Sequence, residues 1–247
     1  MSDVAENPYG TEEETAHAEA SPQAEDEMTL EELAAMCDNR AATYGLIARL
    51  YYAEVDEALF DELVAMRYPV SSGNDLLDRG YYTLAKYLSN AWVDPVLRLS
   101  VDYTKTFLGS GIDTYSAAYP FESVYTSEKR LLMQDARDEV LAIYRSCGLD
   151  KSASWKTGED HIAVELEFMR IMSARTAKAL RAGDEDEATA LLSTQKNFML
   201  DHVATWAPVF CNDVRRFAGT TFYQALADVT EGFLEEDAAL LEGLVED

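Results

Sequence analysis

The sequence has few cysteines and no long apolar run. Cys37, Cys147 and Cys211 are far apart and form no Cys-x-x-Cys pair, so neither a disulfide framework nor a zinc site is predicted and a reducing compartment is expected. No stretch approaches the roughly 18 consecutive apolar residues of a membrane span, which predicts that the protein is not an integral membrane protein. Its first residues lack the basic region and apolar run of a secretory leader, so we expect a cytoplasmic protein.

Motifs of several enzyme classes are also missing. There is no Gly-x-Ser-x-Gly elbow, and the Gly-Ser-Gly stretch at 109–111 is not followed by the Gly-Lys-Ser/Thr of a phosphate-binding loop. The pair of Glu-x-x-His motifs expected of a di-iron bundle is absent. His161 and Glu165, one helical turn apart, are a candidate ion site together with Asp201 and His202 of a second helix. We therefore predict no enzyme, no metal and no cofactor, and keep a metal-dependent helical enzyme as an alternative.

Basic residues are scarce, particularly at the two ends of the chain. The formal charge is −26, and residues 1–28 and 231–247 hold nine and seven acidic residues with no basic one. The body between them has 30 acidic residues against 20 basic ones. Such a body repels phosphate backbones, so we expect no nucleic-acid partner, whereas a basic peptide is compatible with this charge.

The apolar pattern has a helical period from Thr29 onward. Residues 1–28 have almost no large apolar side chains and are predicted to be a disordered acidic tail. Thr29 and Glu32 have the spacing of a capping box, and Gly148 and Gly183 stand where left-handed C-terminal caps are needed. After a first helix from Thr29, helices are predicted at about 56–67, 73–91, 94–108, 127–147, 159–182, 184–216 and 220–244.

These segments predict an all-α fold without a persistent β pattern. Residues 29–247 are expected to form one globular multi-helix domain, with N-terminal helices in 29–147, a hinge at 148–158 and C-terminal helices in 159–247. Pro208 lies within a helical pattern, so a kink or a break is expected near Ala207.

Two segments combine aromatic and ionisable side chains. Tyr119–Tyr125 (YPFESVY) places a proline between aromatics before a helix, and Asp160–Met169 (DHIAVELEFM) opens an amphipathic helix with an Asp-His pair. This mixture indicates a site for an extended or helical peptide. A purely structural alternative is that Asp160 caps the helix and that His161 is a surface or hydrogen-bonded histidine.

These segments, taken in order along the chain, resemble the TorD/DmsD/NarJ-like family of molybdoenzyme maturation chaperones. The resemblance rests on Phe107-Leu108-Gly109, Tyr119–Tyr125, Asp160-His161, Glu165–Met169, His202, Trp206 and Phe222-Tyr223. It implies an all-helical fold of the TorD/DmsD type without catalytic turnover. It also implies a cytoplasmic chaperone that binds the twin-arginine signal peptide and the apo form of a molybdopterin oxidoreductase catalytic subunit, and assists cofactor insertion before export.

The resemblance also implies the residues that bind the peptide. Asp160 and His161 match the Asp-His pair tied to leader binding, and the aromatic or apolar groove positions match Tyr51, Tyr103, Phe107, Phe121 and Tyr125. Glu122 and Glu165 add carboxylates that suit leader arginines. We expect the residues after Pro120 and after Gly158 to line one groove. The chain departs from the family at Thr157-Gly158, which replaces a Glu-Pro pair.

Three hypotheses follow, from different classes of protein. The first is the maturation chaperone, the second a helical protein-binding adaptor with no leader specificity, and the third the metal-dependent enzyme. The identity of the client enzyme is left open by the sequence, as are guanine nucleotide binding and the choice between a monomer and a helix-swapped dimer that hinges at 148–158.

Overall fold

The computed structural model describes residues 28–69, 71–90, 92–109, 116–128, 132 and 135–245, and these form a helical domain. The helices are α1 (Leu30–Tyr52), α2 (Glu57–Ala65), α3 (Asp75–Leu88), α4 (Pro95–Tyr103), α5 (Glu122–Thr126), α6 (Asp135–Ser146), α7 (Ile162–Arg181), α8 (Glu185–Phe198), α9 (Ala204–Phe217) and α10 (Thr221–Leu244). Within the described ranges, extended pairing is limited to one isolated bridge between Phe121 and His161. The predicted all-α fold is confirmed.

Local signals set several helix ends, and those at Thr29, Gly148 and Gly183 agree with the prediction. Thr29 and Glu32 form a complete capping box at the start of α1, and the Asp184 side chain caps α8 by accepting from the Glu187 amide. Gly148 and Gly183 have φ angles of 69° and 70°, in the left-handed region that favours glycine over residues with a Cβ. They follow α6 and α7 and end these helices.

Two π-helical turns lengthen the helices. Thr104–Leu108 continues α4, and Met199–Val203 joins α8 to α9, so the predicted helical segments 94–108 and 184–216 are each continuous. Of the kink or break expected near Ala207, the break is wrong, because α9 runs through Pro208, and the kink stays a prediction. The irregular hydrogen bonding lies earlier, in a π turn that ends just before Ala204. The carbonyl of Ala204 is the group that an amide at position 208 would normally bond.

The N-terminal and C-terminal helices interleave, since α1 packs along α7 and α3 packs along α10. A buried ion pair joins three of these helices: the Arg40 guanidinium donates to both oxygens of Asp237, at 2.5 and 2.9 Å. Tyr44 donates to the same carboxylate, and Arg40 also reaches the Ser173 hydroxyl at 3.3 Å. Loss of one partner would leave a buried charge unpaired, which costs about 3–5 kcal/mol.

A second buried carboxylate fixes the turn before α10. Asp102 accepts hydrogen bonds from the amides of Gly219 and Thr220, at 2.7 and 2.8 Å, and from the Thr220 hydroxyl at 2.6 Å.

The connection between α6 and α7 reaches back to the end of α1, where Trp155 packs against Tyr52 with ring centroids 4.3 Å apart. As expected for adjacent helical positions, Tyr51 is buried and Tyr52 is half-buried.

Some predictions concern residues outside the described ranges. The predicted tail at 1–28 lies outside the described residues except for Met28, as do the segment 110–115 and residues 129–131 and 133–134. The start predicted at 127 for the helix 127–147 is wrong, because Ser127 is the extended residue that ends α5 and α6 is observed from Asp135. Among the helices in the described ranges, none has a stretch both long and apolar enough to cross a membrane.

Candidate functional site

The two motifs singled out in the sequence meet in the structure. Phe121 and His161 form an antiparallel bridge, and their rings pack edge to face with centroids 5.0 Å apart. The Glu122 amide donates to the Asp160 carbonyl at 2.9 Å, and the first amide of α7 donates to the carbonyl of Pro120 at the same distance. The start of α5 is therefore joined through the backbone to the start of α7.

Asp160 strengthens this junction through its side chain. It is only 1% exposed, and its Oδ2 accepts hydrogen bonds from the Ser123 amide at 3.2 Å and the Ser123 hydroxyl at 2.5 Å. Its other oxygen, Oδ1, is buried and has no hydrogen-bond partner. Asp160 therefore positions α5 and also keeps one acceptor unused.

The histidine, not the aspartate, caps α7. His161 Nδ1 accepts a hydrogen bond from the Ala163 amide at 3.1 Å, which corrects the alternative in which Asp160 is the cap. Burial, assisted by the positive charge of Lys151, lowers the pKa of His161 from 6.5 to about 3. The imidazole is neutral at physiological pH, and Nδ1 is free to accept.

Two further carboxyl groups lie beside this junction. Glu165 is 0% exposed and Glu122 is 3% exposed, and Glu165 Oε2 accepts a hydrogen bond from Trp206 Nε1 at 3.1 Å while its Oε1 is unpartnered. Burial raises the pKa of Glu165 well above its usual range, and the charges of Glu122 and Asp160 raise it further. A proton on Glu165 therefore reduces the repulsion within the cluster.

His202 faces the carboxylate of Glu122. Its Nδ1 lies 3.1 and 3.3 Å from the two oxygens of Glu122. Burial lowers the pKa of His202, but the hydrogen bond to Glu122 and the charge of that carboxylate outweigh it, so the net shift is upward. Glu122, Asp160, Glu165 and His202 are called the carboxylate cluster below.

Aromatic rings surround the carboxylate cluster on one side. Tyr125 stacks on Trp206 with ring centroids 5.5 Å apart and an interplanar angle of 24°, and both contact Phe210. Phe107 lies on the far side of Phe210, 6.3 Å from it. Tyr51 and Tyr103 pack around Phe107. Four of the five predicted groove aromatics therefore form one continuous set with Phe210, whereas the ring of Phe121 packs against His161.

Most of this set is closed to solvent. Of the nine predicted peptide-binding residues, Phe121 and Tyr125 are half-buried. The other seven are buried: Tyr51, Tyr103, Phe107, Glu122, Asp160, His161 and Glu165. The structure brings Asp160 and Phe121 to the same place, but the groove itself is not open in this conformation. Direct contact of these seven residues with a peptide stays a prediction, and it requires the site to open.

The departure at Thr157-Gly158 has a structural consequence. A Cβ at position 158 would lie 2.9 Å from Asp160 Oδ1 and 3.4 Å from Phe121 Cε1. The proline that the family carries here therefore does not fit unless Asp160 or the connection moves. Glycine allows the backbone of this connection to cover the unpaired oxygen of Asp160.

The ion site considered for the alternative enzyme has a different arrangement. His161 Nδ1 is engaged by the Ala163 amide, and His202 Nδ1 faces Glu122. In the described part of the chain, no three His, Cys, Asp or Glu side chains are grouped so that they could hold a metal ion. Cys37, Cys147 and Cys211 are free thiols.

Sequence reasoning gave no role to two side chains that hold the site together. Ser123 stands inside the YPFESVY segment, where a small hydroxyl next to a glutamate carries no signal of its partner. Trp206 is one of the residues that carry the family resemblance, and it is fully buried. Its indole bond to Glu165 depends on a contact across 41 positions of sequence.

Comparison with known proteins identifies the family of this helical fold. The family profile described as "Nitrate reductase delta subunit" matches residues 74–212, which is more than half of the chain. The chain belongs to this family, and the resemblance to the TorD/DmsD/NarJ-like proteins is confirmed.

The names of individual relatives are more specific than the description of the family profile. The chain is similar to the "Chaperone protein TorD" of Photobacterium profundum, with 29% identity over 150 residues, 61% of this chain and 67% of the relative. It is also similar to a protein of the same name from Vibrio cholerae, with 24% identity over 224 residues, 88% of this chain and 99% of the relative. A solved redox enzyme maturation protein from Archaeoglobus fulgidus is 22% identical, with a TM-score of 0.46, and covers 79% of this chain and 93% of its own.

Proposed function

We propose that this chain is a cytoplasmic chaperone for a molybdopterin-dependent oxidoreductase. It binds the twin-arginine signal peptide and the apo form of the catalytic subunit, and it assists cofactor insertion before export. Relatives named "Chaperone protein TorD" match along 88% of the chain, which supports the chaperone role. The junction of Phe121 with His161, beside the carboxylate cluster, is the observation that carries the proposed site.

The unpaired oxygen of Asp160 suits a guanidinium ligand. Asp160 Oδ1 is buried without a hydrogen-bond partner, and such a group costs about 1–3 kcal/mol. Arginine offers planar arrays of N–H donors that match carboxylates and also stacks on aromatic rings such as Tyr125. A leader that presents paired arginines ahead of an apolar stretch can therefore satisfy this acceptor and bury its apolar part against the aromatic set.

Access to Asp160 Oδ1 requires movement of the connection at 148–158. Its last residue, Gly158, lies against Asp160 Oδ1 and the Phe121 ring, and its middle is tied to Tyr52 by Trp155 and by a 3.1 Å hydrogen bond to the Ser154 carbonyl. The Lys156 amide also donates to the Tyr52 hydroxyl at 3.3 Å, and these tethers are partly exposed. We propose that leader binding displaces this connection, and that the same segment is the hinge if two copies exchange helices.

Calorimetric titration tests leader recognition. The titrant is a synthetic twin-arginine leader of a molybdoenzyme from the same genome, compared with a copy in which both arginines are alanine. We expect binding that weakens at least tenfold with the alanine peptide, because two charge-assisted contacts are lost. The Asp160→Asn variant should weaken binding of the arginine peptide only, and Asp186→Asn on the exposed start of α8 is the matched control. Equal affinity for both peptides would instead indicate the adaptor without leader specificity.

A further inference from the structure

An open acidic cleft lies between α2 and α4, away from the carboxylate cluster. Its volume is about 1040 Å³, and its walls come from residues 54–61 and 94–100. Five of the side chains that line it are acidic: Glu54, Asp56, Glu57, Asp61 and Asp94. Its remaining lining, as far as the chain is described, is apolar apart from one serine and includes no basic residue.

The acidic side chains of the cleft fall into two groups. Glu54 accepts hydrogen bonds from hydroxyl groups of α4 and its π turn, and Asp56 caps α2 and pairs with Arg49. In the described part of the structure, Glu57, Asp61 and Asp94 have neither a hydrogen bond nor an ion pair through their side chains. Three accessible carboxylates are therefore free to meet positive groups of a partner.

An exposed apolar stripe borders the same cleft. Val93, Leu97 and Val101 recur every four residues at the start and along one face of α4, and they are 80%, 62% and 62% exposed. Leu97 also lines the cleft, so the stripe and the free carboxylates form one surface. A contiguous apolar surface with a charged rim is typical of a protein or peptide interaction site.

We propose that this cleft and stripe dock a peptide segment in which basic side chains adjoin apolar ones. The inference rests on the proposed function, because the twin-arginine leader has this chemistry and is the occupant to which we commit. Charge argues against other occupants: residues 1–28 hold nine acidic residues and no basic one, and a second copy would bring a formal charge of −26. Both would be repelled by the free carboxylates.

The cleft is accessible to solvent, whereas the carboxylate cluster is not. The two sites therefore act at different steps of leader binding. The carboxylates of the cleft are open in the conformation described, whereas Asp160 and Glu165 are buried. The cleft begins two residues after Tyr52, to which the 148–158 connection is tethered. A leader held in the cleft therefore lies next to the segment that must move for the carboxylate cluster to open. Charges at an exposed rim mainly govern association rate and its salt dependence.

The test measures association and dissociation rates of a fluorescein-labelled twin-arginine leader, the same synthetic peptide as above, with the full chain. One variant neutralises the rim, Glu57→Gln with Asp61→Asn. A second changes the stripe, Leu97→Gln with Val101→Gln, at positions where exposure makes misfolding no concern. The matched control is Glu235→Gln with Glu242→Gln on the exposed face of α10, which removes the same formal charge. Circular dichroism of each variant verifies the fold.

We expect the rim variant to lower the association rate about fivefold in low salt, and this difference to shrink as salt screens the charges. The stripe variant should raise the dissociation rate about fivefold, through lost apolar burial. The control should match the wild type. Unchanged rates in both cleft variants, with a leader that still binds the wild type, would overturn this inference and leave the proposed function in place. No binding of the leader to the wild type would overturn both.

Discussion

Ser123 donates two hydrogen bonds to one oxygen of Asp160, from its amide at 3.2 Å and from its hydroxyl at 2.5 Å. The two residues are 37 positions apart, and the contact joins the first turn of α5 to the residue before the cap of α7. It holds the carboxylate of Asp160 in one orientation, with Oδ1 turned away from any partner. The position of the unpaired oxygen therefore depends on a serine.

The change Ser123→Ala should destabilise the protein by about 1–3 kcal/mol, because it leaves a second oxygen of a buried carboxylate short of a donor. Urea unfolding measures this free energy. Ser146→Ala is the control, since that hydroxyl is exposed and bonds only within its own helix end, and it should change stability by less than about 0.5 kcal/mol. Equal effects of the two substitutions would contradict the role given to Ser123.

The change Gly158→Ala should destabilise the protein by about 1–3 kcal/mol, since the added Cβ meets the fixed Asp160 carboxylate at 2.9 Å. Gly243→Ala gives the opposite expectation: nothing lies within 4 Å of its Cβ position, and alanine in an exposed helix stabilises by about 0.5–1 kcal/mol. Thermal unfolding of the two variants under identical conditions compares them. A neutral Gly158→Ala would show that the connection adjusts freely at this point.

The His161→Asn variant should be less sensitive to acid than the wild type. The pKa of His161 is lowered to about 3 in the folded protein from 6.5. Its contribution to stability is therefore present above about pH 6.5 and is lost as the pH falls towards 3. Asparagine also caps helices but does not titrate. The measurement is the free energy of unfolding of both proteins at pH 7.0, 6.0 and 5.0. The two values should converge as the pH falls, because the wild type loses stability and the variant does not lose this contribution. A difference that stays the same at all three pH values would contradict a buried neutral imidazole.

The Glu165→Gln variant should gain stability relative to the wild type as the pH rises. The folded pKa of Glu165 is raised by burial and then by the charges of Glu122 and Asp160. The contribution of this carboxyl group is therefore full below its ordinary pKa of 4.5 and is lost as the pH rises. Glutamine keeps the acceptor for Trp206 without the titration.

Unfolding by urea between pH 5 and pH 8 tests this expectation, with Glu235→Gln as an exposed control that should follow the wild type. His202, whose folded pKa is also raised, contributes in the same direction and is present in all three proteins, so it cancels in the comparison. A stability difference that stays constant across this range would contradict a protonated Glu165 in the cluster.

Much of the fold was predictable because its signals are local. The capping box at Thr29 and the glycines after α6 and α7 act within one turn of the chain, and the apolar period marks the helices that these signals bound. The error at Pro208 arose because the sequence shows which amide is missing but not where the helix accommodates the loss. The π turn ends at Val203, five positions before the proline.

The meeting of the two motifs was predictable from the sequence, but the burial of their side chains was not. The motifs around Phe121 and His161 were expected to share one place, and the bridge between them agrees with that expectation. Burial was not predictable, because a side chain that lines a groove and one that fills a core have the same spacing. The Tyr51 ring illustrates this, since its full burial depends on Phe107 and Phe210 from other helices.

The central claim is that this chain matures a molybdoenzyme, and cofactor content of the client tests it most directly. The client oxidoreductase from the same genome is produced with and without this chain, purified, and analysed for molybdenum per polypeptide by elemental mass spectrometry. We predict a severalfold lower molybdenum content without the chain, restored by the wild type and by Asp186→Asn but less by Asp160→Asn. Equal molybdenum content with and without the chain would contradict the account.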